Sequence, residues 1–230
     1  MILSEAEQQA VWLSLVVATR SVALSLPLAV AVAWVLARRN FPGKTLVDAL
    51  VHLPLVLPPV VIGYLLLLSL GARGPIGGWL ESTFGLRLVF TSLGASVATA
   101  VMSFPLMVRA IRLSIEAIDP GLEAAARSLG AGRFDRFVSI TLPLMLPGVL
   151  AGMVIAFAAS LGEFGAVITF VSNIPGETQT LPLAIYSALQ TPDGDSIALR
   201  LATLSFMLAL GGLVLSEWLA RRVKRRYGRG

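Results

Sequence analysis

The chain has 230 residues, 56% of them hydrophobic and 13% charged, with a mean hydropathy of +0.83; soluble domains carry roughly a quarter charged residues, so a water-soluble globular protein is excluded. Its 18 Lys and Arg exceed its 13 Asp and Glu, a net charge of +5, and in so apolar a chain that excess reads as membrane topology rather than nucleic-acid affinity. With no cysteine, neither a disulfide framework nor a thiolate metal site is available.

The amino-terminal "MILSEAEQQ" carries acids where a secretory signal has a basic region, so it is not read as a cleaved leader. A hydrocarbon core of roughly 30 Å needs about 20 helical residues, and five stretches are long enough: residues 11–37, 46–70, 88–110, 142–171 and 197–220. None alternates with period two, so the expected fold is an all-α polytopic bundle of about five transmembrane helices, one domain over residues 1–230, and not a barrel. Lys and Arg cluster in alternate connections: Arg38, Arg39 and Lys44 in the first, Arg109, Arg112, Arg127, Arg133 and Arg136 in the third, and a basic tail from Arg221 to Arg229. The second connection has only Arg73 and Arg87, and the fourth has none. That asymmetry predicts an outer amino terminus and a cytoplasmic carboxyl terminus.

In the first connection "PGKT" has the end of a phosphate-binding loop, but its first glycine would fall at position 38, which is Arg, so the motif is dismissed. The second span holds Pro54, Pro58 and Pro59. They demand at least a kink, which marks either a bent packing helix or a broken helix lining a transport path. His52, the sole histidine, reads as interfacial or packing, and one imidazole supports neither a catalytic triad nor a metal site.

The third connection contains "IDPGLEAAARSLGAGRFDRFVSITLPLMLPG". Asp119 as N-cap and Pro120 as first helical residue open a short helix over residues 120–129. Glu123 stands four residues before Arg127, the spacing of an exposed ion pair, while Leu122, Ala125, Ala126 and Leu129 can share one face. Gly130 fits the left-handed stop. In isolation such a helix could lie on the membrane surface. In the fourth span Glu163 is an intramembrane acid and should face the bundle interior, paired or wetted. Its role is either structural or gating, with Arg20 in the first span as candidate partner, or the lining of a wet path; the flanking Gly162 and Gly165 allow close backbone approach. Gly148 and Gly152 could mark a tight crossing. The tail "RRVKRRYGRG" would bind anionic lipid headgroups or touch a cytoplasmic partner.

The spacing of the third connection resembles the loop of the membrane subunits of binding-protein-dependent ABC importers, written E-A-A, three residues, G, nine residues, I-x-L-P. Here Gly130 is followed by residues 131–139 and then Ile140, Thr141, Leu142 and Pro143. Ala125 and Ala126 fill the alanine positions, but the family's acid falls where this chain has Ala124, with Glu123 one position earlier. That shift leaves open whether Glu123 takes the acid's role. "LVHLPLVLPPVVIGYLLLL" and "SLGEFGAVITFVSNIPGETQTLPLAIYSALQTP" extend the likeness over nearly the whole chain, to the permeases of the molybdate, tungstate and sulfate branch. The resemblance implies that residues 120–129 form a coupling helix, with Glu123, Ala124, Ala125, Ala126, Arg127, Leu129, Gly130, Ile140, Leu142 and Pro143 serving attachment to an ATPase. It further implies an inner-membrane, non-enzymatic subunit without cofactor. Its partners would be a second permease copy, two cytoplasmic ABC ATPase subunits, an extracytoplasmic oxyanion-binding protein and membrane lipid. "SNIPGETQTLP" tilts the substrate towards molybdate. The rival readings are a sulfate permease, an ion-driven carrier, which would want an inverted repeat and several intramembrane charges, and a membrane anchor for an enzyme complex.

Overall fold

The computed structural model describes residues 3–227, all of whose regular elements are helical. The first helix, α1 (Glu5–Arg38), starts at a capping box in which the Glu7 N–H donates to Ser4 Oγ and the Ser4 N–H donates to Glu7 Oε2. At about 1.5 Å per residue its 34 residues exceed a bilayer core.

The next span is a broken one. α2 (Lys44–Val56) and α3 (Pro59–Leu70) meet at 113°. Pro58 and Pro59 both lack an amide hydrogen, and Leu57, preceding a proline, is extended with ψ 145. A short α4 (Pro75–Phe84) follows before α5 (Ser92–Glu116), and then α6 (Pro120–Ser128). α7 (Arg133–Arg136) runs through a π-helical turn, Phe137–Thr141, into α8 (Leu142–Leu161). Pro143 accounts for that turn, since its ring cannot sit against the carbonyl four residues back and the wider turn makes room.

The fourth apolar stretch departs from the continuous helix expected over residues 142–171. α8 ends at Leu161, residues 162–164 are non-helical, and α9 (Gly165–Val171) starts afresh. The N–H groups of Gly162 and Glu163 turn back onto the carbonyls of Ala159 and Ser160, closing the last turn tightly, and the Glu163 carboxylate takes the Ala166 N–H at 2.9 Å. An acid capping a new helix from within an apolar run is what interrupts it. α10 (Leu181–Leu189) and α11 (Asp195–Tyr227) complete the chain. The basic tail from Arg221 onward, expected to meet lipid, lies outside the residues whose side chains are described.

Among the described residues, four helical runs are long and apolar enough to cross a membrane: α1, α5, residues 133–161 and α11. The bent α2–α3 pair makes a fifth. The core forms where α1, α5 and α8 cross. Small residues permit the approach: Ala29 and Ala33 of α1 and Ala156 of α8 are fully buried with Met107, Ile111 and Ile115 of α5. A Cβ at Gly148 would collide with Ser114 Cβ, so α5 and α8 touch at that glycine. Inside the crossing the Ser21 hydroxyl lies 3.4 Å from that of Ser103 and 3.3 Å from that of Ser160. At the end of α1 near the amino terminus, the buried Ser14 hydroxyl accepts the Leu181 N–H at 2.7 Å, and Arg200 of α11 pairs with the buried Glu7 at 2.9 Å. These bonds tie α10 and α11 to α1.

Candidate functional site

α6 hangs from the bundle with no buried residue of its own. Its local sequence explains its shape. Asp119 Oδ1 accepts the Gly121 N–H at 2.8 Å, Pro120 occupies the first turn, and the chain stops where Gly130 takes φ +86. The Gly130 and Ala131 N–H groups then return to the carbonyls of Arg127 and Ala126. Leu122 is 47% exposed and Leu129 88%; Ala124, Ala125 and Arg127 are exposed and Ala126 half-buried. Phe134, just beyond the turn and not singled out by the sequence, is 80% exposed. An apolar edge thus faces outward at this end of the molecule. Ile140 and Pro143 are half-buried and Leu142 is exposed, all in the π turn and first turn of α8.

Glu123 is not paired with Arg127. Its Oε1 accepts from Arg38 Nη2 at 2.9 Å and from the Thr141 hydroxyl at 3.1 Å. The helix places Glu123 on the inner side of α6, towards the last residue of α1 and the buried start of α8, so Arg38 outcompetes the exposed Arg127. Arg127 makes no ion pair among the described residues. One carboxylate therefore binds three elements together, α1, α6 and α8. A second polar clamp lies nearby in sequence: Asp48 of α2 accepts from Arg112 of α5 at 3.0 Å and sits 3.2 Å from His52. His52 is thereby held by its own helix.

The second candidate region is the meeting of the two breaks. Half-helices α3 and α9 cross so closely that a Cβ at Gly63 would lie 2.7 Å from the Ala166 carbonyl oxygen and 2.8 Å from Thr169 Cβ. A Cβ at Gly165 would lie 2.8 Å from Pro59 Cβ. Gly165 is therefore required for this approach, whereas Gly162, whose Cβ would meet nothing closer than 3.8 Å, is not. Glu163 stands in the break, half-buried, with its carboxylate on the Ala166 N–H. Arg20 is not its partner: Arg20 is exposed and donates to Ser92 Oγ at 3.3 Å. Among the described residues the hydrogen bond to its carboxylate comes from a backbone amide and not from the candidate cation.

Arg38, Thr141, Arg112 and Arg200 could not be foreseen as partners, because each acts across the bundle. The only local signal was the position of Arg38 in the last turn of a helix, where a cation is favoured.

Residues 25–226 match the family model described as the binding-protein-dependent transport system inner membrane component. The chain is 59% identical over 229 residues to the molybdenum transport system permease protein ModB of Escherichia coli (strain K12), covering 100% of both chains. It is 58% identical over 224 residues to the protein of the same name from Haemophilus influenzae, covering 97% of this chain and 98% of that one. Against the sulfate transport system permease protein CysT of Escherichia coli (strain K12) it is 39% identical over 194 residues, covering 83% of this chain and 70% of that one. In fold it resembles a chain of a crystallised bacterial ABC transporter for import of the acidic polysaccharide alginate, with TM-score 0.76, 20% identity and coverage of 96% and 80%. It also resembles a chain of the inward-facing MetNI methionine ABC transporter, with TM-score 0.76, 17% identity and coverage of 96% and 99%.

Proposed function

The chain belongs to the family of binding-protein-dependent transport system inner membrane components, and from that premise we propose that it is the permease of an ATP-driven importer for molybdate, carrying tungstate as well. The observation that supports this best is the 59% identity to the molybdenum permease over the whole length of both chains, against 39% to the sulfate permease over part of them. Two copies of the chain would enclose the path. Two cytoplasmic ATPase subunits would dock on α6, and an extracytoplasmic binding protein would deliver the oxyanion. The amino terminus would lie outside and the carboxyl terminus in the cytoplasm, an orientation that the distribution of Arg and Lys supports.

In this reading the ATPases seize the exposed edge formed by Leu122, Leu129 and Phe134. Their closure moves α6, and the shared Glu123 carboxylate passes that displacement to Arg38 at the end of α1 and Thr141 at the root of α8. α8 leads directly to the break at residues 162–164, and α9 is interlocked with α3 through Gly63 and Gly165. A push on the foot of α8 therefore reaches both broken spans, the kind of element that lines transport paths. The chain's own part is to hold that path and relay the movement, with hydrolysis in the ATPases. Glu163 would not bind a dianion, since like charges repel; it fixes the break.

Uptake of labelled molybdate in cells lacking their own permease, supplied with this chain and its cognate partners, tests the proposal. Saturable, ATP-dependent uptake competed by tungstate but not by sulfate is expected. Sulfate uptake of equal efficiency would assign the chain to the sulfate branch instead.

A further inference from the structure

Beside the Glu123 tether, on the face that carries α6, lies a cavity of about 500 Å³ lined by Trp34, Arg38, Arg39, Glu123, Arg133 and Arg136. Four guanidinium groups face one carboxylate. Glu123 pairs with Arg38 alone. Arg39 lies over the Trp34 ring, 5.5 Å from its centroid. Arg133 and Arg136 have no carboxylate within ion-pair distance among the described residues. The Nε–H of Arg38 is buried without an acceptor among them. Cations gathered around one concavity repel each other unless an anion joins them, and the planar fork of arginine matches the oxygens of a tetrahedral phosphate. The cavity also sits at the end of the membrane-spanning α1, where Trp34 and Arg39 have the character of residues at the headgroup level.

We propose that this cavity is a binding site for a phosphate-bearing anion, either the headgroup of an anionic phospholipid or a soluble phosphate. Arg133, Arg136 and the free Nε–H of Arg38 supply the donors, and Trp34 with Arg39 forms the wall on the membrane side. The site is separate from the translocation path and does not depend on which oxyanion the permease carries.

The test is a binding titration of the full-length chain, purified free of lipid in neutral detergent. The probes are inorganic phosphate, dihexanoyl-phosphatidylglycerol and, as zwitterionic control, dihexanoyl-phosphatidylcholine. Tryptophan fluorescence reports occupancy, and the part lost in Trp34→Phe is assigned to the cavity. A saturable Trp34-dependent response to the glycerol lipid, absent with the choline lipid, is expected. A response to inorganic phosphate as well points to a soluble ligand, and its absence points to the leaflet; either supports the site. Joint Arg133→Gln and Arg136→Gln substitution should weaken binding at least tenfold with an unchanged thermal midpoint. Arg133→Gln alone, at an exposed position, should weaken it about threefold and keeps the test usable should the double variant not fold. No saturable response to either anion, or unchanged affinity in these variants, overturns the proposal. So does loss of binding when the chain is copurified with its ATPase, which would mean that an acidic side chain of the partner fills the cavity. None of these readings involves transport, so failure of the molybdate assignment would leave them intact.

Discussion

Glu123 and Arg38 stand 85 positions apart in the sequence and 2.9 Å apart in the structure, and with Thr141 on the same oxygen they form the polar attachment of α6 to the bundle. The pair is partly exposed, at 21% and 30%, so it contributes only about 1 kcal/mol to stability. In the proposed mechanism its importance is mechanical, because α6 has no buried side chain to hold it otherwise.

Breaking this tether should separate assembly from transport. Glu123→Ala and Arg38→Ala should each leave the thermal midpoint within a few degrees of wild type while lowering uptake about tenfold or more. The exchange of Arg38→Glu with Glu123→Arg should recover part of the loss. Uptake and ATPase activity in reconstituted vesicles measure this, and an exchanged pair no better than the single variants would show that the two residues act separately.

Gly130 provides a test of the α6 terminus. A Cβ there would meet nothing within 4 Å, so the penalty for a side chain comes from φ +86 alone, on the order of 1 to 2 kcal/mol for a β-branched residue. Gly130→Val should insert normally yet lose stimulation of hydrolysis by the loaded binding protein. Gly130→Asn, which tolerates the left-handed region, should retain most of it. Equal stimulation in both variants would refute a role for this turn in coupling.

The two glycines flanking Glu163 should behave differently. Gly165→Ala drives a methyl against Pro59, as Gly63→Ala does against the Ala166 carbonyl, an overpacking of roughly 1 to 3 kcal/mol. Gly162→Ala meets only ordinary contact distance. Thermal midpoints in detergent should fall for the first two and hold for the third, and uptake should follow the same order.

Glu163→Gln retains an oxygen that can accept the Ala166 N–H, whereas Glu163→Leu removes it, at a cost of about 1 kcal/mol for a lost cap. The glutamine variant should therefore assemble like wild type, and its uptake isolates the effect of the negative charge. The leucine variant should also lose stability. If both match wild type in thermal midpoint and uptake, neither the cap nor the charge matters.

Orientation is open to direct measurement. Reporter fusions active only outside the cell should be active at Ser82 and Gly176 and silent at Gly43 and Gly132. Activity at Gly132 would place α6 on the wrong side for an ATPase.

Composition and hydropathy determined that this chain is an all-helical membrane protein, because an unpaired backbone amide in hydrocarbon is too costly for any other open structure. Local chemistry was equally legible around α6: Asp119, Pro120 and Gly130 act through bonds within a few residues of themselves, so their spacing carries the cap, the first turn and the stop. The prolines at 58 and 59 likewise announced a disturbed second span, although not its 113° turn. Pairings between helices could not be read in this way. Glu123 has Arg127 at the right helical spacing, and only the packing of α1 beside α6 and α8 decides that Arg38 takes the carboxylate. Read as part of one continuous fourth helix, Glu163 had either to pair, with Arg20 as the candidate, or to be wetted; the fold ends that helix at Leu161 and gives the acid a backbone amide instead. Both differences have one cause. Hydropathy along a chain reports which segments leave water, but the partner of a charge is whichever group the crossing of helices brings within 3 Å, and that distance is a property of the assembled bundle.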